Sequence, residues 1–265
     1  MISNFTSRHA QAAIRAAGAW LLALMLAPGP AAAADLRVFS GGAPQAVLRQ
    51  LAPEFERATG HRVEFVFGLV TEIQSKLAAG EKADLVMLPV PLIAQTEKVI
   101  RLRTEGRAVL ARVGVGVIVR QGTPLPDIST SENVRKLLLD ARALAWSDAG
   151  TPTGGHLSRV MAQLGIADQV QPKLIIRAAI QGGAELVAKG EADVGLYLVS
   201  EVQAANGVTL VGLLPPALQS YVVYGTAIPA YNSAPEAALA FIRFSSDPAM
   251  SARWKAAGFE LMGGR

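Results

Sequence analysis

The chain has 265 residues and no cysteine, and its 25 lysine and arginine residues against 21 acidic residues give a net charge of +4. The missing cysteine excludes disulfide bonds, thiolate metal sites, cysteine nucleophiles and a lipid-anchored cysteine. The charge is close to neutral, no basic run occurs, and aromatic residues make up 6% of the chain, so we expect no nucleic-acid partner.

The first 34 residues have the pattern of a secretory signal peptide. Two arginines precede the apolar stretch 16–27, the sequence 28–30 breaks a helix, and residues 31–34 supply the small side chains of a cleavage site. The apolar stretch is shorter than the roughly 20 residues of a membrane-spanning helix, although a retained anchor is the alternative. We therefore expect a cleaved signal peptide over residues 1–34 and a periplasmic protein. Its removal leaves 23 basic against 21 acidic residues, a net charge of +2.

From Leu36 onward, short β-like runs alternate with amphipathic helical stretches, which is typical of an α/β fold with largely parallel sheets. The first helix has apolar residues at helical spacing from Val47 to Phe55, and Gly60 caps its end. The sequence predicts, in order, a strand at 36–39, this helix, a strand at 63–67, a helix over 70–77 and a strand at 83–88 that Pro89 stops.

The middle of the chain repeats this scheme. The sequence predicts helices around 134–138, 157–164 and 186–187, and strands at 143–147, 174–176 and 193–198. This number of alternating units favours two sheets over one.

Two apolar β-rich stretches, residues 113–119 and 221–228, are predicted to connect these units. If both cross between two lobes, they form a hinge beside a cleft, and the C-terminal helices return to the first lobe. The predicted organisation is lobe 1 at residues 35–117 and 226–265 and lobe 2 at residues 118–225. A single, continuous doubly wound domain is the alternative.

Four loops at the carboxyl ends of predicted strands are rich in small and hydroxyl residues: 40–43, 68–71, 151–155 and 181–183. Each precedes a predicted helix, whose first backbone N–H groups and dipole attract an anion without a charged side chain. One such loop alone is explained by capping and turn formation. Four of them at equivalent places indicate a ligand site in the cleft.

The usual signatures of catalysis are missing. His61 and His156 do not lie at metal-ligand spacing, although the loop beside His156 is itself a candidate site. There is no nucleophile elbow, phosphate-binding loop or complete dinucleotide fingerprint, and Asp84, Asp148 and Asp193 are expected to form turns and caps. We therefore expect no enzyme, no metal and no cofactor.

Four tyrosines lie near the last strands of lobe 2 and the return connection: Tyr197, Tyr221, Tyr224 and Tyr231. Each is able to offer a hydroxyl to a ligand, although packing is the commoner role of tyrosine. We single out Tyr197, because its strand ends at the predicted cleft.

The pattern resembles the type 2 periplasmic binding proteins, and within them the molybdate-binding family, over nearly the whole mature chain. The stretches that carry the resemblance are 36–40, 77–86, 152–154, 186–195 and 257–259. The phrases Gly80 to Asp84 and Gly190 to Asp193, each running into a strand, are the most specific. The resemblance implies two α/β lobes, a hinge and delivery of a ligand to the membrane permease of an ABC importer.

The resemblance also implies positions for the ligand-binding residues. The first serine of the family falls at Ala43, the second loop offers Thr71, and the tyrosine of the family falls at Leu198, next to Tyr197. Thr153 and Ile180 match positions that bind through the backbone.

We therefore predict a monomeric binding protein for a small anion, with molybdate or a related tetrahedral oxyanion first and a small organic carboxylate second. An enzyme or a sensor subunit on the same fold is the rival class. The candidate ligand-binding residues are Ser40, Gly41, Ala43, Thr71, Thr153, Gly154, Ile180, Gln181 and Tyr197.

Overall fold

The computed structural model describes residues 33–203, 205–232 and 235–262. All but the last two residues of the predicted signal peptide lie outside the described residues, so its cleavage stays a prediction. From Ala34 onward, the internal contacts hold the chain together as one unit. Among the described helices, none is long and apolar enough to cross a membrane.

The first strands and helices follow the predicted order: β1 (Asp35–Gly41), α1 (Gln45–Thr59), β2 (Arg62–Gly68), α2 (Val70–Ala78) and β3 (Leu85–Pro89). Helix α1 ends at Gly60, whose φ of 76° is a left-handed conformation that glycine adopts without steric cost. Strand β3 ends at Pro89 as predicted. An unpredicted helix, α3 (Val90–Thr96), starts directly after it, because proline is tolerated in the first turn of a helix.

The rest of the chain adds the predicted second set of elements and several short ones. In chain order they are β4 (Ala108–Arg120), α4 (Ser131–Asp140), β5 (Leu144–Trp146), α5 (Pro152–Gln163), α6 (Ala167–Val170), β6 (Leu174–Ile176), α7 (Gly183–Ala188), β7 (Val194–Leu198), α8 (Val199–Val202), β8 (Val208–Leu213), β9 (Tyr221–Ala227), α9 (Pro235–Ser246), α10 (Ser251–Ala256) and β10 (Glu260–Leu261). Short 3-10 turns lie at Gln171–Lys173, Ala179–Gln181 and Pro248–Met250.

The described strands form one hydrogen-bonded network in which β4 is shared. On one side the order is β2-β1-β3-β9-β4, with β1 parallel to β2 and β3, and with β9 antiparallel to β3 and β4. On the other side the order is β4-β7-β5-β6, with β5 parallel to β6 and β7. Residues 108–114 of β4 pair with β9, whereas residues 115–119 pair with β7. The chain therefore passes from one lobe to the other within a single strand.

The fold is a two-lobed α/β fold. We call lobe 1 the part built on β1, β2, β3, β9 and β10, and lobe 2 the part built on β5, β6, β7 and β8. Strand β9 pairs with β3 and β4, and we call the segment 214–220 that leads into it the return connection; the lobe boundaries at 117/118 and 225/226 stay a prediction. Phe241 of α9 packs edge-on against Phe55 of α1, with ring centroids 5.0 Å apart, so the C-terminal helices add to the core of lobe 1.

The aspartates that end the two similar segments, Gly80 to Asp84 and Gly190 to Asp193, have the same structural role in both lobes. The Asp84 carboxylate accepts the Arg37 backbone N–H at 2.8 Å, and the Asp193 carboxylate accepts the Arg142 backbone N–H at 2.7 Å. Each aspartate thereby ties the start of its own strand to the neighbouring parallel strand. Asp84 and Asp193 therefore bond across strands and do not form the expected turns and caps, whereas the Asp148 carboxylate accepts the Gly150 N–H at 2.7 Å within a turn.

The side chain of Gln219 joins the two connections between the lobes. Its amide accepts the Val115 N–H at 3.0 Å and donates to the Val115 carbonyl at 2.9 Å, at the point where β4 changes lobe. In α5, Nε2 of His156 lies 2.8 Å from the Leu218 carbonyl oxygen. His156 therefore holds the return connection.

Candidate functional site

Loops from both lobes enclose a cavity of about 40 Å³ at the carboxyl ends of the parallel strands. Ligands of open α/β sheets bind at this edge, because the helix N-termini converge there. Lobe 1 contributes Gly42, Gly68, Leu69, Val70, Pro89, Val222 and Tyr224, and lobe 2 contributes Ser147, Thr151, Pro152, Thr153, Ala178, Ile180, Leu198 and Glu201.

Three hydroxyl groups on the cavity wall have no hydrogen-bond partner among the described residues: those of Ser147, Thr153 and Tyr224. All three side chains belong to buried residues, with exposed fractions of 6%, 5% and 3%. Their hydroxyl oxygens are not fully buried and are open to the cavity. These hydroxyls are therefore placed to bind a polar ligand.

The N-terminus of α5 adds backbone donors to the same wall. Thr151 caps this helix, because its Oγ1 accepts the Gly154 N–H at 3.0 Å. The backbone N–H groups of Thr153 and of Ile180 have no acceptor among the described residues. Free N–H groups and the positive end of a helix dipole favour a ligand that carries negative charge.

Glu201 is the charged residue of the cavity wall. It lies on α8, directly after β7, and no lysine, arginine or histidine is among the described residues that line the cavity. Burial raises the pKa of Glu201 to about 7, against a hydrogen bond at Leu198 that lowers it. The carboxyl group therefore populates both its neutral and its charged form near neutral pH.

Tyr224 reaches the cavity from lobe 1. A Cβ atom added to Gly41 would lie 3.1 Å from the Tyr224 hydroxyl oxygen, so the glycine at the end of β1 leaves room for this ring. Burial, and then the Glu201 carboxylate, raise the pKa of Tyr224. Its hydroxyl therefore keeps its proton and acts as a hydrogen-bond donor.

Two open depressions continue from the cavity. One, of about 320 Å³, shares Gly42, Ile180 and Glu201 with the cavity and has Arg49 on its wall. The other, of about 690 Å³, has Arg159 on its wall. A Cβ atom on Gly42 would lie 2.7 Å from Cδ1 of Ile180, so the two lobes touch there. A ligand larger than the cavity has to extend into one of these depressions.

The structure brings some predicted residues to the cavity and leaves others outside it. Thr153 and Ile180 line the cavity, and Ala43 lines the depression beside Arg49. Gly41 lies below Tyr224, and the buried Ser40 hydroxyl donates to the Gly41 carbonyl at 3.0 Å.

The remaining predicted residues lie around the cavity without lining it. Gly154 is buried beneath α5, where a Cβ atom would lie 2.0 Å from the Asp148 carbonyl oxygen. Thr71 and Gln181 are exposed on the first turn of α2 and on the turn Ala179–Gln181. Neither Thr71 nor Gln181 is among the described residues that line the cavity.

Tyr197 is fully buried in the core of lobe 2, and the structure does not bring it to the cavity. Its hydroxyl donates to the Arg177 carbonyl at 3.0 Å. Successive side chains of a strand point to opposite faces, so the next residue, Leu198, lines the cavity instead. The tyrosine at the site is Tyr224, which reaches it from the antiparallel strand β9.

Glu201 and Ser147 are site residues that the sequence analysis missed. A signal for Glu201 exists, because it is an acidic residue three positions after a buried strand. Such a residue is also explained as a helix-start carboxylate, so the signal is weak. Among the described residues, no group of three or more histidine, cysteine, aspartate or glutamate side chains is arranged to hold a metal ion.

Comparison with known proteins gives matches along nearly all of the described chain. The sequence model of a family described as bacterial extracellular solute-binding protein matches residues 36–260. The chain is 31% identical over 234 residues to an aconitate isomerase of a Pseudomonas species, covering 84% of this chain and 87% of that protein. It is 24% identical over 236 residues to the molybdate-binding protein of Escherichia coli (strain K12), covering 85% and 89%. The structure of the periplasmic molybdate-binding protein of Azotobacter vinelandii superimposes with a TM-score of 0.70 at 20% identity, over 84% of this chain and 98% of that protein. This similarity shows the fold alone.

Proposed function

The chain belongs to the bacterial extracellular solute-binding proteins, and from this membership we propose that it binds a small anion in the cavity between its lobes. The observation that carries the proposal is the set of three hydroxyls without protein partners, on Ser147, Thr153 and Tyr224, around one cavity. In this proposal the protein is a periplasmic monomer that delivers the anion to the membrane permease of an ABC importer.

The chemistry of the cavity favours an organic carboxylate over molybdate or a related oxyanion. At the second loop, the Glu72 carboxylate accepts the Leu69 N–H at 3.0 Å, so an acidic side chain already occupies the start of α2. Glu201 adds a second carboxyl on the wall, and Ala43 supplies no hydroxyl in the first loop. A compact dianion places its whole charge beside these carboxyl groups, whereas an extended organic carboxylate places its charge at the hydroxyls and the start of α5 and an uncharged carbon segment beside Glu201.

A thermal-shift and calorimetry panel tests this proposal. The panel contains cis- and trans-aconitate, the saturated analogue tricarballylate, molybdate, tungstate, sulfate and phosphate. A ligand at 100 times its dissociation constant adds about 2.7 kcal/mol to the free energy of unfolding, and we expect this for a carboxylate. Stabilisation by molybdate alone would instead assign the cavity to an oxyanion, and no response to any anion would refute anion binding.

Catalysis is the second candidate function. It is favoured by one observation, the partly buried Glu201 carboxyl on the cavity wall, and supported by the 31% identity to an aconitate isomerase. Interconversion of the two aconitate isomers by the purified protein, followed by nuclear magnetic resonance, tests this candidate. If the protein binds aconitate without interconverting its isomers, catalysis is rejected and the binding function stands.

A further inference from the structure

Glu201 and Tyr224 face the same cavity from opposite lobes. Glu201 lies on α8 of lobe 2, and Tyr224 lies on β9 of lobe 1. Both line the cavity, and the charge of Glu201 is close enough to raise the pKa of the Tyr224 hydroxyl. A ligand in the cavity therefore contacts a carboxyl group on one side and a phenol on the other.

We propose that this pair catalyses an allylic proton transfer on a bound unsaturated carboxylate, with Glu201 moving the proton and Tyr224 donating a hydrogen bond to the ligand. The inference rests on the proposed function, because it requires an organic carboxylate in the cavity. The two residues act as catalytic residues in the strict sense that both contact the ligand.

The proton transfer needs no other reactant. The Glu201 carboxylate takes a proton from a methylene carbon that lies next to both a carboxylate and a carbon–carbon double bond. The electron pair of the broken C–H bond delocalises over the three-carbon unit and the carboxylate oxygens. The Glu201 carboxyl then returns the proton to the far carbon, a new C–H bond forms, and the double bond shifts by one position. No atom or electron is gained or lost, and the product is an isomer of the ligand.

The environment of each residue suits its role. A general base works best when its pKa lies near the operating pH, and burial places the pKa of Glu201 at about 7. A hydroxyl that stabilises developing negative charge must stay protonated, and burial raises the pKa of Tyr224. Glu72 and Glu201 both bond a backbone group at the start of their helices, at Leu69 and Leu198, but Glu72 is exposed outside the cavity whereas Glu201 lines it.

Hydrogen–deuterium exchange of the ligand tests the inference. The protein is incubated with trans-aconitate in D₂O. Proton nuclear magnetic resonance then measures the loss of the vinyl and methylene signals of the ligand and the appearance of its cis isomer. Calorimetry with tricarballylate, which has no double bond, measures binding separately. The variants are Glu201→Gln, Glu201→Asp and Tyr224→Phe, and Glu191→Gln removes an exposed carboxyl of lobe 2 as the control.

We expect exchange with the wild-type protein and the control, and a loss of about 100-fold or more in Glu201→Gln, because general acid–base catalysis contributes that much. We expect tricarballylate binding to persist in Glu201→Gln, partial exchange in Glu201→Asp, and a loss of about 100-fold in Tyr224→Phe. Binding with neither exchange nor isomerisation in the wild-type protein, or wild-type rates of both in Glu201→Gln, would overturn the inference and leave the proposed function standing. Failure of the wild-type protein to bind any carboxylate would overturn both.

Discussion

Replacing Glu201 by glutamine should change how the stability of the protein depends on pH. Burial raises the pKa of Glu201 in the folded protein from 4.5 to about 7. Because the folded pKa is above the unfolded pKa, the stabilising contribution is fully present below pH 4.5. It is lost as the pH rises through about 7, where the folded protein has to hold a charged carboxylate.

The size of the effect follows from the pKa difference. A difference of about 2.5 units corresponds to about 3 kcal/mol, since one unit is worth 1.36 kcal/mol. Glutamine has nearly the shape of the neutral acid and does not titrate. The free energy of unfolding of Glu201→Gln minus that of the wild type should therefore rise by about 3 kcal/mol between pH 4.5 and pH 8.

Urea denaturation without ligand, followed by circular dichroism at both pH values, measures this difference. Glu191→Gln serves as the matched control, because it removes an exposed carboxyl just before β7. If the difference for Glu201→Gln changes with pH no more than the difference for this control, burial does not penalise the Glu201 charge. The assignment of this residue as the titrating group of the cavity would then be refuted.

Three further substitutions test the site and the fold. Thr153→Val keeps the shape of the side chain and should weaken carboxylate binding about tenfold or more in calorimetry, since a hydrogen bond to a charged group is worth roughly 1.5–3 kcal/mol. Thr71→Val is the control, because Thr71 is exposed outside the cavity, and it should leave the affinity unchanged. Gly154→Ala should lower the free energy of unfolding by about 3 kcal/mol or more in urea denaturation, because its Cβ would lie 2.0 Å from the Asp148 carbonyl oxygen; wild-type stability would show that α5 shifts freely. Gly60→Ala should lower the free energy of unfolding by about 1 kcal/mol in the same assay, since no atom lies within 4 Å of the added Cβ and the strain of the φ of 76° is the remaining penalty. A loss as large as that of Gly154→Ala would contradict this distinction between backbone strain and steric overlap.

The local elements were predictable because their signals are local. Apolar spacing predicted α1 and its cap at Gly60, and alternating runs predicted the parallel strands of both lobes. The loops that enclose the cavity were also predictable, since glycine and hydroxyl residues follow the strand ends at matching places. The short helix α3 and strand β8 were not predicted, because a few residues carry too little periodicity.

The identity of the side chains in the cavity was decided by tertiary structure. A strand alternates its faces at every residue, so the sequence alone did not decide whether Tyr197 or Leu198 faces the cavity, and the tyrosine that lines the cavity comes from β9 in the other lobe. In the same way, the sequence did not show that Glu201 on the short helix α8 is partly buried, because its burial depends on residues of the other lobe. The sequence by itself determined two α/β lobes whose strands end in loops rich in glycine and hydroxyl residues, whereas the packing of one lobe against the other brought Glu201 and Tyr224 to one cavity, because the two residues belong to different lobes.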